Sequence, residues 1–142
     1  MALRLSTGLR NALLDAGSLK ASFNNAKLQY FSGAQPASAD DAPTGTLLLT
    51  IDNTTGLNFG TAANGKLPKE AAAWTAAALA TGTAGYFRLS LLVGDTGAQS
   101  TTEVRLDGSV GVFGADLLLS STALVITATQ SVTGFEITLP AA

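Results

Sequence analysis

The chain contains no histidine and no cysteine. Without thiols there is no disulfide framework, no thiolate zinc cluster, no haem-attachment pair and no cysteine nucleophile. Without imidazole the commonest general base is missing, so catalysis is not expected. Charge is scarce too. Eight basic and 10 acidic residues in 142 leave a net charge of −2, and the charged fraction of 13% is about half that of an ordinary soluble domain. Such a balance lacks the clustered Lys and Arg that a grip on nucleic acid requires, and nucleic acid is not an expected partner. Aromatic residues make up only 6% although 46% of the chain is hydrophobic. The difference is largely alanine, mixed with Thr, Ser and Gly.

Long unbroken apolar runs are also absent. The two charge-free stretches, 71–87 and 117–135, approach the length of about 20 residues that a membrane span needs. The first is interrupted by Thr75, Thr81, Gly82, Thr83 and Gly85, and the second by Ser120, Ser121, Thr122, Thr127, Thr129, Gln130, Ser131 and Thr133. Hydroxyls at that density belong to water-facing strands, so no membrane association is expected. Arg4, Ser6, Thr7 and Arg10 break the N-terminal segment, and no secretory signal is legible there. The expectation is a cytoplasmic product.

What is present is a helical start and a β-rich body, one domain overall: a helical segment over 1–25 and a sandwich over 26–142. Ser6 or Thr7 caps a helix through Ala16, with Leu5, Leu9 and Leu13 at i, i+4 and i+8. Gly17 supplies the stop in a left-handed conformation. Ser18 caps a further short turn carrying Leu19 and Phe23, which Asn24 and Asn25 end. The Leu5, Leu9 and Leu13 stripe packs either on the chain's own sheet or on a neighbour.

From Lys27 the period changes to two. Strands are expected at 27–32, 46–51, 57–59, 86–93, 104–112, 117–119, 124–129 and 135–139, separated by Gly, Asp and Asn turns such as Asp52-Asn53-Thr54-Thr55-Gly56. In the strand from Tyr86, the inward set is Phe87, Leu89, Leu91 and Val93, with Tyr86, Arg88 and Ser90 outward. Residues 69–80 are ambiguous. Their Ala-rich composition favours helix, but Trp74 and Leu79 stand five apart and form no helical stripe. As a strand, Ala72, Trp74, Ala76 and Ala78 share a face, and strand is the favoured reading. The fold class is mainly β: an antiparallel β-sandwich or jelly roll of about eight to nine short strands with a short N-terminal α-helix.

Chemistry is sparse. Asp40 and Asp41 sit in a Pro/Ala/Ser loop and read as a solvated tip rather than a carboxylate pair. Asp52, Asp95, Asp107 and Asp116 stand at turns or strand ends, where Asp caps amides. Asp52 to Gly56 has too few acids for a calcium loop. Gly108, Gly111 and Gly114 lack the helix and lysine of a phosphate loop. No catalytic, cofactor or metal residue is assigned, and no cofactor is expected. Trp74 and Tyr86 are the aromatic candidates for contact with a partner, beside the possibility that they are core.

Several segments carry a resemblance: Leu5-Ser6-Thr7-Gly8-Leu9-Arg10-Asn11, Tyr30 to Asp40 with Thr44-Gly45-Thr46-Leu47-Leu48, Gly82 to Leu89, and Asp107-Gly108-Ser109-Val110-Gly111. Together they span nearly the whole chain, which resembles a family of small virion structural proteins of tailed bacteriophages. The resemblance implies a virion part assembled in the bacterial host cytoplasm, and brings no functional residues with it. Within that class the expectation is a capsid decoration, or cement, protein. It would form a homo-oligomer in the particle and pack against the major capsid protein or other virion proteins. A tail or baseplate component, with residues 33–45 as its contact loop, is the alternative; a receptor- or glycan-binding module using Trp74 and Tyr86 is a third reading.

Overall fold

The computed structural model describes residues 3–139. Strand β1 (Arg4–Leu5) precedes helices α1 (Thr7–Asp15) and α2 (Leu19–Ser22). Nine of the remaining strands carry the rest: β2 (Ala26–Ser32), β3 (Leu47–Ile51), β4 (Lys66–Pro68), β5 (Trp74–Ala77), β6 (Gly82–Leu91), β7 (Arg105–Gly111), β8 (Leu117–Leu118), β9 (Ala123–Leu124) and β10 (Thr129–Val132); β11 (Glu136–Thr138) closes the series. The protein is mainly β, with antiparallel sheets arranged as a sandwich and two short helices.

The larger sheet runs β1-β7-β6-β2-β3, with β8 added to β7 and β9 to β6. Only the β7–β8 pair in it is parallel. Its register aligns residues in rows that alternate in character. Leu5, Leu106, Leu89, Leu28 and Ile51 form one row across five strands. The adjacent row, on the opposite face, is Arg4, Asp107, Arg88, Gln29 and Thr50. A period of two thus divides the sheet into an aliphatic and a polar face.

The aliphatic face meets two two-stranded ribbons, β10–β5 and β11–β4. Phe87 of the larger sheet meets Phe135 edge-on at 5.4 Å, joining the layers, and Phe59 meets Trp74 edge-on at 5.7 Å beside it. Such pairs add about 0.5–1.5 kcal/mol beyond their buried area. Residues 74–77 are strand, as the wide spacing of Trp74 and Leu79 predicts, with Trp74 and Ala78 buried and Thr75, Ala77 and Leu79 exposed.

Helix α1 packs on its own chain. Ser6 is the N-cap, its Oγ accepting the Leu9 amide while donating to the Glu103 carbonyl. Leu9 is fully buried, and Leu5 and Leu13 pack against the core. A Cβ on Gly8 would fall inside the main chain of Thr102 and Glu103, so a glycine is what lets the helix approach that loop. Gly17 does not adopt the left-handed conformation expected of it. The helix ends instead at Ala16, with the Ala16 and Gly17 amides both donating to the Ala12 carbonyl. Nor is 124–129 one strand. It runs from the end of β9 at Leu124 through a turn, where Thr127 takes a φ of 72°, to the start of β10 at Thr129.

Candidate functional site

The polar face of the larger sheet is buried, contrary to the outward placement of Tyr86, Arg88 and Ser90 expected from their alternation. All three are at most 1% exposed, whereas Val93, expected inside, is 84% exposed. The reason is that residues 33–46 and 92–104 fold back over this face and cover it. Alternation identifies which residues share a face, but a covering loop decides whether that face is wet.

Two ion pairs lie under the cover. Arg88 Nε and Nη2 donate to the two carboxylate oxygens of Asp107 at 2.7 and 2.8 Å. Arg105 Nε and Nη2 donate to Asp95 at 2.8 and 2.7 Å, and its remaining hydrogens reach the carbonyls of Ala98, Ala39 and Asp40. Both are bidentate, the strongest form of the arginine–carboxylate contact. Arg105 therefore ties both covering segments to β7. Arg4 adds Nη1 to the Pro36 carbonyl, and the Tyr86 hydroxyl donates to the Thr44 carbonyl and accepts the Thr44 amide.

The acids respond to these surroundings. Burial opposes ionisation of Asp95, but the Arg105 hydrogen bonds, the Gly97 amide and the Arg105 charge outweigh it, and the carboxyl lies below its ordinary value. At Asp107 burial dominates and pushes the carboxyl up against the pull of Arg88. Asp40 is no solvated tip. Its two oxygens take the Thr7 amide and hydroxyl at 2.6 Å. Against a desolvation cost, those bonds hold its carboxyl below the usual range. Asp107 is likewise not a turn cap but the partner of Arg88, while Asp116 accepts from the amide and hydroxyl of Ser109.

Beside these pairs the polar face retains a cavity of about 210 Å³. Lys27, Gln29, Arg88, Ser90, Asp95 and Thr96 form its polar wall, with Phe31, Pro43 and Leu47 as its apolar lining. Arg88 Nη1 is buried and has no hydrogen-bond partner among the described residues. A buried N–H left unpaired costs about 1–3 kcal/mol, and Arg88 Nη1 shares that state with Gln35 Nε2 in the covering segment and the Tyr30 hydroxyl.

The residues expected to make contacts are placed elsewhere. Trp74 is fully buried, its indole Nε1 donating to Glu70 Oε1 at 3.1 Å and Lys69 Nζ lying 5.5 Å from its ring. Tyr86 is fully buried and stacked on Phe31 at 5.2 Å. Neither ring offers a surface to a partner, because each is enclosed by this chain's own packing. The apolar side chains that do stand out are Leu14, Val93 and Phe113, each more than four-fifths exposed, with Val112 and Leu118 about half exposed at the β7–β8 turn and Leu79, Val125, Ile126 and Leu139 half exposed or more elsewhere. The sequence reading missed both the ion pairs and these residues. For the ion pairs a signal existed: Arg88-Leu-Ser90 and Arg105-Leu-Asp107 put opposite charges in step on two neighbouring strands.

Among the described residues, no group of three or more carboxylates is placed to hold a metal ion, and no helix is long and apolar enough to cross a membrane. Comparisons with protein-family models, with curated proteins and with solved structures found no match.

Proposed function

We propose that this chain is a non-enzymatic structural protein of a tailed-bacteriophage virion, a decoration protein that packs against major capsid subunits. The observation that carries the reading is how its apolar surface is distributed. Both faces of the larger sheet are already covered from within the chain, yet Val112 and Phe113, with Leu118 across from Gly111, leave apolar side chains exposed at one turn. On a chain with so little surface charge, such a cluster suits burial against another protein. The segments resembling small virion proteins support the same reading. Repetition over a symmetric lattice makes weak contacts of this kind strong.

The alternative readings draw less support from the fold. A tail-tube role would use residues 33–45 as an extended arm, but that segment is held down by Arg4, Tyr86 and Arg105. A glycan-binding role would need Trp74 and Tyr86 exposed, and both are buried. Gold-antibody labelling of purified virions tests the proposal. Label over the head is expected. Label on the tail would replace decoration with a tail role, and unlabelled particles would overturn the virion reading altogether.

A further inference from the structure

We infer that the cavity on the polar face binds a carboxylate carried on a short apolar stem, with Arg88 Nη1, the Ser90 hydroxyl and Lys27 holding the head and Phe31, Pro43 and Leu47 holding the stem. Three observations converge on this chemistry. The first is the unpartnered Nη1 of a guanidinium that is itself 1% exposed and lines the cavity. Its other donors are committed to Asp107 in a bidentate pair, which fixes the plane of the group and leaves Nη1 as a preset donor. The second is charge. Arg88 is matched by Asp107 and Arg105 by Asp95, whereas among the described residues the Lys27 ammonium forms no ion pair: it donates to the Asp95 main-chain carbonyl at 3.1 Å and acts on the Asp95 carboxylate, already paired with Arg105, through its charge alone. The cavity therefore carries one cation in excess of its carboxylates, and an anion completes it. The third is shape. The lining divides into a polar side, made by Lys27, Gln29, Arg88 and Ser90 with Asp95 and Thr96 of the covering loop, and an apolar side of Phe31, Pro43 and Leu47. Small-ligand sites commonly combine an apolar wall with a few convergent polar groups, and a bare inorganic anion would leave the apolar side unused.

The carboxylate could come from a free small acid or from an acidic side chain of an adjoining protein subunit. The inference itself does not depend on the virion reading, because the isolated chain suffices to test it. Two-dimensional NMR of the full chain, titrated with propionate and separately with neutral propionamide, is the experiment. Propionate is expected to shift the Arg88 side-chain resonances and the Ser90 and Gln29 amides in one saturable process, with propionamide at least tenfold weaker. Lys27→Met and Ser90→Ala each leave the Arg88–Asp107 pair in place and are expected to weaken propionate about fivefold. Equal responses to propionate and propionamide, or no saturable shift at Arg88, would overturn the inference and assign Nη1 to an ordered water. Unaltered affinity in both variants would overturn it as well. Between the sources, tight saturation by a free acid points to a small ligand. Millimolar saturation together with release of the chain from particles by propionate points to a subunit side chain.

Discussion

Arg88 and Asp107 are both at most 1% exposed, so neither charge has water to fall back on. Removing one partner of such a pair is costly, while replacing both by apolar groups is often neutral. Asp107→Asn is therefore expected to lose about 3–5 kcal/mol in urea unfolding, and the Arg88→Met/Asp107→Leu double variant to recover most of that. Tyr30 presents the reverse case. Its hydroxyl is buried with no partner among the described residues, and burial drives its ionisation far above the ordinary range. Tyr30→Phe removes the unmet group and is expected to raise stability by about 1 kcal/mol, read from the same unfolding curves. Acid acts on Asp95 in a definite sense. Its carboxyl lies lower in the folded chain than unfolded, so its contribution is complete above the unfolded value and is lost as pH falls through the folded one. Asp107, raised in the folded chain, has the opposite sign and blunts the loss. In unfolding curves taken below about pH 4, Asp95→Asn is expected to flatten the acid decline whatever its overall cost. None of these pairings is marked by any one residue. Arg88 and Asp107 become partners only through a register between strands almost 20 residues apart, and a charged residue on an alternating strand reads as solvent-facing until the loop above it is known.

Elements were legible where side-chain period and turn chemistry agreed. The Ser6 and Ser18 caps, the Asp52 turn and the strands β2, β3, β6 and β7 all lie close to where the sequence places them. The 74–77 strand was legible from what its helix would lack, a continuous large-residue stripe. The stretch 124–129 was not, because Leu124, Val125 and Ile126 carry high strand propensity while the chain turns at Thr127. Local preference yields there to the need to reach both β6 and β5 within a few residues. How α1 docks depends on a missing side chain rather than a present one. Gly8→Ala would force the helix off the Thr102–Glu103 main chain, and a loss of about 1–3 kcal/mol is expected for such overpacking. Arg105→Met is expected to accelerate amide exchange selectively over 36–41 and 95–103, since that side chain alone joins both segments to the sheet. Uniform protection across those segments in hydrogen-exchange mass spectrometry would show that other contacts hold the cover.

At the scale of the molecule, the N-terminal segment is part of the fold rather than an appendage. Arg4–Leu5 extends the larger sheet and Leu9 fills its core, so deleting residues 1–17 is expected to abolish the near-UV circular dichroism of the folded chain. The proposed attachment to particles is better probed from the surface. Phe113→Ser is expected to leave the unfolding midpoint within about 0.5 kcal/mol of the parent, as surface changes usually do, while weakening attachment in a sedimentation assay with shells.

The pairing of Arg4–Leu5 with Leu106–Asp107 also orders events in time. During synthesis the first strand leaves the ribosome with no edge to join, and about a hundred residues must follow before one exists. At the usual 5–20 residues per second that is a wait of roughly 5–20 s. Until then the Leu9 face of the first helix has no core to enter, and the nascent chain carries it uncovered. The first strand thus joins the sheet only once β7 exists, and a chain stalled short of β7 would carry the Leu9 face exposed.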